Sequence, residues 1–561
     1  MLIHPGLIFI LLGIIGLITR RPIHKYISVP VAGIVFSISC FVDYQTAFSF
    51  NFLGYKLALI NIDSLSKVFL IIFSLMTFVG LIFAINQKNK KETSWALIYA
   101  GAGIGAVLAY DLLTFFVFCE LMAIGSTFLL LTSKTESSKK AGMRYAIVHF
   151  LAGTLILFGI AGHIAEAGTV VFNRLNIDDL YVQLIFLGFL INAGCFPFSS
   201  WIPDSYPEAS FSGSVFLSAF TTKTAVYSLL RGFPGTEILI YLGLIMIFYG
   251  IIYALLENDM RRILSFSIVN QVGFMLVGAG IGTEMAINGA SSHAFAHIIY
   301  KALLLMSAGS VLYMTGKSKC SELGGLFQTM PITMICGTIG AFAISAFPLT
   351  SGFVTKSMIS YAAADEHLFY VWMLLVAASA GVFLHAGIKF PWFVFFQKDS
   401  GLRPPDPPLN MRIAMYLLSG LCILIGCFPA VIYSILPYPV KYDPYTFSHV
   451  LFQLQLLTFA GFAFFIMLPW LKRTETISLD VDWLYRTGIP KFSYFLKKCI
   501  NTLKHRFTTF YNRRLDGVWD KIVSNLDKIA NFSMEMPTRV MIVSLKLVLV
   551  SFLAVLYFSI F

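Results

Sequence analysis

Charge is what this chain has least of: only 12% of its 561 residues are Asp, Glu, Lys or Arg, against 58% hydrophobic and 15% aromatic. A globular protein in water carries about 25% charged residues, so an aqueous fold is excluded and lipid is the solvent. The eight cysteines lie far apart, with no C-x-x-C and no Cys/His cluster. That excludes a ligand set for zinc or an iron–sulfur centre, so no metal, no cofactor and no redox or hydrolytic chemistry is expected. Two glycine strings, Gly101-Ala-Gly-Ile-Gly105 and Gly278-Ala-Gly-Ile-Gly282, lack the preceding strand of a dinucleotide loop and read as close helix packing. The formal charge of +12 sits in short loops between apolar runs, which points to membrane topology rather than nucleic acid. The first apolar run, from Pro5 to Thr19, has no basic residue in front of it and no small-residue cleavage site behind it. It is read as a retained span.

Apolar runs of roughly 20 residues can be laid down about sixteen times, centred near Gly13, Ile34, Ser74, Gly103, Met122, Leu155, Phe189, Phe220, Met246, Val272, Leu303, Ala341, Ser379, Leu421, Gly461 and Val550. Loop charge tests this count. Loops after odd-numbered spans hold Arg20, Arg21, Lys25, Lys88, Lys90, Lys91, Lys134, Lys139, Lys140, Arg144, Arg261, Arg262, Lys317, Lys319, Lys398, Arg403 and Arg412. Loops after even-numbered spans hold Lys56, Arg174, Arg231 and Lys441. The bias is about fourfold and keeps its sign along the chain, which places the N-terminus outside and the odd loops in the cytoplasm. Residues 472–539 are polar and basic. Phe492, Leu496, Ile500, Leu503, Phe507 and Phe510, then Leu515, Val518, Trp519, Ile522, Leu526 and Ile529, recur at helical spacing, so two cytoplasmic amphipathic helices are expected, lying on the membrane or on a partner. Residues 540–561 are expected to form a terminal span.

Charges inside spans cost about 3 kcal/mol each on insertion scales and need a reason. Glu120 sits in the middle of span five and Lys223 in the middle of span eight. Span eleven carries His293, His297 and Lys301 at i, i+4 and i+8, one helix face over about 12 Å of rise. Span thirteen carries His385 and Lys389, four apart and near a span end, where a satisfied buried pair or a snorkelling lysine is the bland reading. Titratable groups a few Å apart through a dry interior are what proton hopping requires. His149 and His163, lone histidines in span six, read as packing. Two spans look broken: Ile191-Asn-Ala-Gly-Cys-Phe-Pro197 in span seven, and Phe347-Pro-Leu-Thr-Ser-Gly-Phe-Val-Thr-Lys356 in span twelve. Mid-membrane proline and glycine are tolerated where backbone lines a cavity or an ion path, and Lys356 directly follows the second break. Breaks five spans apart are what an inverted repeat produces, here spans four to eight against nine to thirteen.

These segments resemble the antiporter-like subunits shared by multisubunit sodium/proton antiporters and respiratory complex I. The matching stretches are Pro197-Phe-Ser-Ser-Trp-Ile-Pro-Asp204, Ser218-Ala-Phe-Thr-Thr-Lys223, Asn258-Asp-Met-Arg-Arg-Ile-Leu-Ser265 with Gln271-Val-Gly273, His293-Ala-Phe-Ala-His-Ile-Ile-Tyr-Lys301 and Ser351-Gly-Phe-Val-Thr-Lys356. They fall within roughly residues 95–400. The combination of Tyr206-Pro-Glu-Ala, Thr221-Thr-Lys and Lys398-Asp-Ser-Gly-Leu-Arg is most similar to the antiporter D subunits, with the complex I subunits close behind. The resemblance implies an all-α integral membrane protein with two inverted five-helix repeats, other membrane subunits as partners, and proton-pathway roles for Glu120, Lys223 and Lys356, joined through the helix of His297 and Lys301. It also exposes a departure. The family usually places a lysine five residues before the span-seven proline, paired with the span-five glutamate; here that position is Asn192, and no Lys, Arg or His occurs between Arg174 and Lys223.

The expected organisation is therefore residues 1–94 as N-terminal spans, 95–231 and 236–397 as the two repeats, 411–471 as additional spans, 472–539 as the cytoplasmic amphipathic segment and 540–561 as the last span. Three functions fit: a proton-translocating subunit of a cation/proton antiporter in the cell (inner) membrane; a proton-pumping membrane subunit of complex I or a membrane hydrogenase; and a scaffold that has lost conduction, for which Asn192 is the best support. The residues leave open whether sodium accompanies the proton, because the carboxylates that hold one also hold the other.

Overall fold

A computed structural model describes residues 4–19, 23–52 and 54–470, together with a few scattered positions between 480 and 498. The expected amphipathic helices of 472–539 and the terminal span of 540–561 lie outside the described residues. The chain divides into two units, the first holding residues 1–476 with 551–561 and the second residues 477–550. The helical bundle and its buried charges belong to the first.

The described chain is helical except for one hairpin. In order come α1 (Pro5–Thr19), α2 (Ile23–Phe41), strands β1 (Gln45–Phe52) and β2 (Tyr55–Ile62), α3 (Ser64–Phe83), α4 (Lys90–Leu108), α5 (Leu112–Leu131), α6 (Glu136–Ala167), α7 (Leu180–Ala193), α8 (Trp201–Ser205), α9 (Gly213–Ala219) and α10 (Thr221–Gly232). After these come α11 (Ile238–Leu256), α12 (Met260–Ile281), α13 (Glu284–Thr315), α14 (Pro331–Ile344), α15 (Ser351–Asp365), α16 (Phe369–Val382), α17 (Leu409–Cys427), α18 (Ala430–Tyr433) and α19 (Phe447–Met467). The fold is the helical membrane class expected, with one short hairpin between α2 and α3. Its strands pair antiparallel from Gln45 with Ile62 to Phe52 with Tyr55, and Gly54 takes the positive φ (+81°) that the tight turn demands.

Ten helices among the described residues are long and apolar enough to cross a bilayer, and α1, α7 and α14 are shorter apolar helices. The sequence count is larger for a physical reason. Spans seven, eight and twelve are interrupted, so each contributes two short helices, and the first turn of α4 carries Lys90, Lys91 and Glu92.

Loops gather at two faces. At one face Gln87 bonds to Ser210 and Ser212, Asn89 to Thr132, Arg144 to Asp204, Met260 to Ser318 and Ser400 to Gly324. At the other, Ala58 bonds to Asp111, Leu175 to Gly232 and Asn288 to Tyr438, and Arg231 pairs with Asp63. Helix ends at both faces are capped by side chains that accept otherwise orphaned N–H groups: Asp111 on α5, Thr135 on α6, Asp179 on α7, Asp259 on α12 and Thr283 on α13.

Both glycine strings pack helices. A Cβ on Gly101 would fall on the backbone oxygen of Gly6 in α1, and one on Gly105 would enter the ring of Phe118. In the second string, a Cβ on Gly278 would stand 2.9 Å from that of Ala290. The middle of the bundle is α12 and α13, whose apolar windows are 100% and 94% buried. Large apolar side chains on α1, α2, α11 and α19, such as Ile18, Ile34, Tyr241 and Ile466, point outward, as expected where lipid or a membrane partner covers the surface.

Asp63 caps α3 through Ser66 while pairing with Arg231 at 2.6 Å. Burial alone would raise its carboxyl, but the Arg231 guanidinium and the Ser66 hydrogen bonds outweigh it and hold the group below its ordinary value of 3.8. A depressed carboxylate adds stability above its ordinary value and loses it as pH falls through the depressed one. Asp63→Asn keeps the cap and removes the pair. In a detergent melting assay the variant is expected to have a lower Tm at pH 7, with the difference shrinking below about pH 4.

Candidate functional site

The interrupted helices position the buried cations. The first helix of span seven ends at Ala193, where Gly194 turns the chain at φ +70°, and the oxygen of Ile191 accepts both the Gly194 N–H and the indole N–H of Trp201, each at 3.0 Å. Span twelve breaks between Ile344 and Ser351, with Ala346 and Leu349 both at positive φ (56° and 67°), a strained arrangement of the kind held at functional sites. Gly352 lets the start of α15 ride onto the end of α14, since a Cβ there would fall on the Ala343 oxygen. Lys356 then reaches back 12 residues and donates to the Ile344 oxygen at 2.9 Å, with its ammonium 4.9 Å from the centre of the Phe274 ring.

Sequence reading missed a third break, at Phe220, because no glycine or proline marks it. There Tyr99 from α4 inserts its hydroxyl: it accepts the Thr221 N–H at 3.0 Å and lies 2.7 Å from Thr221 Oγ1. Lys223, one turn into α10, donates back to the Ser218 oxygen in the last turn of α9 at 2.7 Å and to Thr222 Oγ1 at 3.1 Å. Lys223 and Lys356 thus solve the same problem in the same way. A buried ammonium is held by carbonyls at the negative end of a severed half-helix.

Span thirteen is irregular too. Beyond α16 the chain widens into a π-helical stretch, Phe383–Lys389, which carries both His385 and Lys389. Such widening recurs at functional sites. Lys389 donates to the oxygens of Ala254, Leu255 and Glu257 at 3.0, 2.6 and 2.6 Å, capping the C-terminus of α11 at the face that holds Arg262 and Glu257. His385 gives Nδ1 to the Gly381 oxygen at 2.9 Å, and its Nε2 has no hydrogen-bond partner among the described residues.

Between these lysines lies α13. Lys301 donates to Ser267 Oγ at 2.9 Å and contacts the Leu264 oxygen at 3.3 Å. His293 is shared between Thr355 (3.2 Å) and Gln271 (3.1 Å), and the Tyr300 hydroxyl also donates to Gln271. Neither nitrogen of His297 has a partner among the described residues, yet the charges of Lys223, Lys301, His293 and Lys356 all act on it. All five side chains are at most 2% exposed. The structure therefore brings Lys223, His293, His297, Lys301 and Lys356 into one electrostatic neighbourhood and sets His385 and Lys389 beside it toward the α11 end.

Lys356 also lines a cavity of about 510 Å³, together with Ser357, Ser360, Tyr361, Asp443 and His449. Lys441 and Asp443 belong to the loop after α18, on the face of Asp63 and Arg231, so the cavity leads from Lys356 to that face. The family motifs gave no sign of it, because eight of its eighteen lining residues come from 441–453.

Glu120 stands apart. It is 7% exposed on α5, its Oε2 has no partner among the described residues, and no other charged group among them acts on it. Its carboxyl lies in the notch left by Gly153 on α6, where a Cβ would fall on Oε1. Asn192 does not reach it. Asn192 Oδ1 lies instead 2.8 Å from Nδ1 of His149, so the histidine read as packing touches the altered position. His163, the other, faces Asp179 at 3.6 Å near the end of α6. A further buried acid that sequence reading passed over is Glu92, which accepts from Ser210 Oγ at 2.6 Å and from Ser212 Oγ at 2.5 Å; its place in a basic loop disguised it.

Residues 109–382 match the family described as "NADH:quinone oxidoreductase/Mrp antiporter, TM". The D subunit of the Na+/H+ antiporter of Alkalihalophilus pseudofirmus is 31% identical over 400 residues, which are 65% of this chain and 79% of that one. The chain belongs to this family of multi-pass membrane subunits. Two solved structures share its fold. A chain of the Mrp complex from Dietzia sp. superposes with a TM-score of 0.69 at 20% identity, covering 82% of this chain and 96% of that one. A chain of the membrane-bound sulfane sulfur reductase, an archaeal respiratory membrane complex, superposes with a TM-score of 0.72 at 22% identity, covering 99% and 100%.

Gly153→Ala should overpack the Glu120 notch and cost about 1–3 kcal/mol, seen as a lower Tm in detergent. The double variant Gly153→Ala/Glu120→Ala should recover most of that loss; a double variant as unstable as the single one would place the clash elsewhere.

Proposed function

We propose that this chain is the proton-translocating subunit of a multisubunit Na+/H+ antiporter of the cell (inner) membrane, with its N-terminus outside and residues 472–539 in the cytoplasm. The observation that carries this reading is the run of buried titratable side chains between two faces. At one end Lys389 meets the backbone of Glu257; at the other Lys356 lines the cavity beneath Asp443; Lys301, His297, Lys223 and His293 lie between. Titratable groups so placed pass protons, whereas a structural core has no use for them.

The relatedness to an antiporter D subunit supports the cation partner. The organisation into inverted repeats, residues 95–231 and 236–397, is supported by the irregularities: spans seven and eight are broken, and five spans later span twelve is broken and span thirteen is π-helical. The cytoplasmic assignment of the first face rests on its lysines and arginines.

A second reading, a proton-pumping subunit of a redox-driven membrane complex, is favoured by the superposition on the respiratory complex over 99% of this chain. Co-purification separates the two: small antiporter subunits accompany the first, and hydrophilic iron–sulfur subunits the second.

Lys223→Ala and Lys301→Ala should each abolish proton-coupled cation efflux from vesicles while leaving assembly intact, because each removes the only ammonium in its stretch of the run. Normal transport by an assembled Lys223→Ala complex would support the scaffold reading instead. For topology, cysteine labels at Lys140 and Ser400 should react only from the cytoplasm. Labels at Asn176, Asp365 and the cavity residue Ser360 should react only from outside; the same access for both sets would refute the orientation.

A further inference from the structure

Glu120 is cut off from the lysines as far as direct contact goes, and the groups around it say how it can be joined to them. Its carboxyl rests against Gly153 of α6. One turn earlier on the same helix, about 6 Å along the axis, stands His149, 3% exposed. An amide oxygen only accepts, so the 2.8 Å contact with Asn192 Oδ1 requires the hydrogen on His149 Nδ1. Nε2 is then the bare, basic nitrogen, and it has no partner among the described residues.

On its other side His149 packs against the tilted ring of Tyr145, with ring centroids 4.1 Å apart, and edge-to-face against Trp201 at 4.6 Å. The Tyr145 hydroxyl lies 3.3 Å from Thr221 Oγ1, two residues from Lys223, whose ammonium bonds the neighbouring Thr222. The remaining charged groups nearby, Arg144 of α6 and Asp204 of α8, are taken up with each other at 2.6 and 2.8 Å; α7 presents Asn192 and no charge.

We infer that His149 is the proton carrier between Glu120 and the Lys223 stretch, with Asn192 as its positioning residue. The inference rests on the transport reading above. Nε2 takes the proton of the Glu120 carboxyl, leaving a carboxylate and an imidazolium, then releases that proton by way of water toward the Tyr145 and Thr221 hydroxyls. Charge and protons balance without any further reactant. Asn192 keeps Nδ1–H engaged throughout, so the ring offers the same nitrogen each cycle.

The test uses the assembled complex in vesicles, with assembly scored by size exclusion. His149→Phe keeps the ring contacts with Tyr145 and Trp201 and removes both nitrogens; His149→Gln keeps polarity and removes the base. Each is expected to slow proton-coupled transport at least tenfold, while His163→Gln stays at the parental rate. Asn192→Lys added to His149→Phe supplies a new basic group from α7 and is expected to restore at least a third of the parental rate. An assembled His149→Phe within twofold of the parent would overturn the inference, as would a slow His149→Phe that Asn192→Lys leaves unrescued. The outcomes are read alongside Lys223→Ala. If that variant transports normally, the function itself falls; if it is inactive while His149→Phe is not, only the role of His149 does.

Discussion

An ammonium group in hydrocarbon must find oxygen ligands, and in this chain it finds them in severed backbone. Lys223 takes the carbonyl of Ser218, Lys356 that of Ile344, and Lys389 three carbonyls at the end of α11. A continuous helix has its carbonyls already bonded four residues on, and Lys301, lodged against the unbroken α12, reaches the Leu264 oxygen only at 3.3 Å and takes the Ser267 hydroxyl at 2.9 Å. The breaks at Phe220 and at residues 345–350 therefore belong to the cations that use them, Lys223 and Lys356. The rest of the bundle packs around those breaks: α12 and α13 fill the centre, and glycines at the crossings allow backbones to touch where a side chain would hold them apart.

The two halves of the run differ in how charge is managed. In the second half, lysines and histidines crowd together, so at any moment only part of the set can be charged: like charges a few Å apart in a poorly screened interior repel strongly. In the first half a single carboxyl sits without a basic contact, with an imidazole and an amide one helical turn away. A lysine on α7 would supply a permanent counter-charge. A histidine on α6 supplies one only while it holds a proton, so the stabilisation of the Glu120 carboxylate would come and go with the proton itself.

Much of this was legible in the sequence, for identifiable reasons. Isolated lysines in apolar runs announce themselves by cost, and Pro197, Gly194, Pro348 and Gly352 mark two of the breaks through backbone chemistry alone. What was not legible depends on side chains meeting across helices. The break at Phe220 carries no breaker residue and is stabilised by Tyr99 from another helix. The His149 contact with Asn192 joins positions 43 apart in sequence, so neither residue signals it locally. The π-helical turns leave no compositional trace, and the cavity at Lys356 is built in large part from residues 441–453, beyond the stretch that carries the family motifs. The hairpin left no clear pattern, since its second strand, Tyr55–Ile62, is apolar at four successive positions.

Because the hydrogen bonds of Lys356 and Lys389 go to main-chain oxygens, drift in neighbouring side chains leaves these two seats in place, and selection at Lys356 falls on whatever sets the two half-helices against each other. Substitution at Gly352, whose missing side chain lets α15 meet the Ala343 oxygen, would unseat Lys356 without touching a polar group. A lineage losing conduction could thus retain every titratable residue and fall silent through one methyl group.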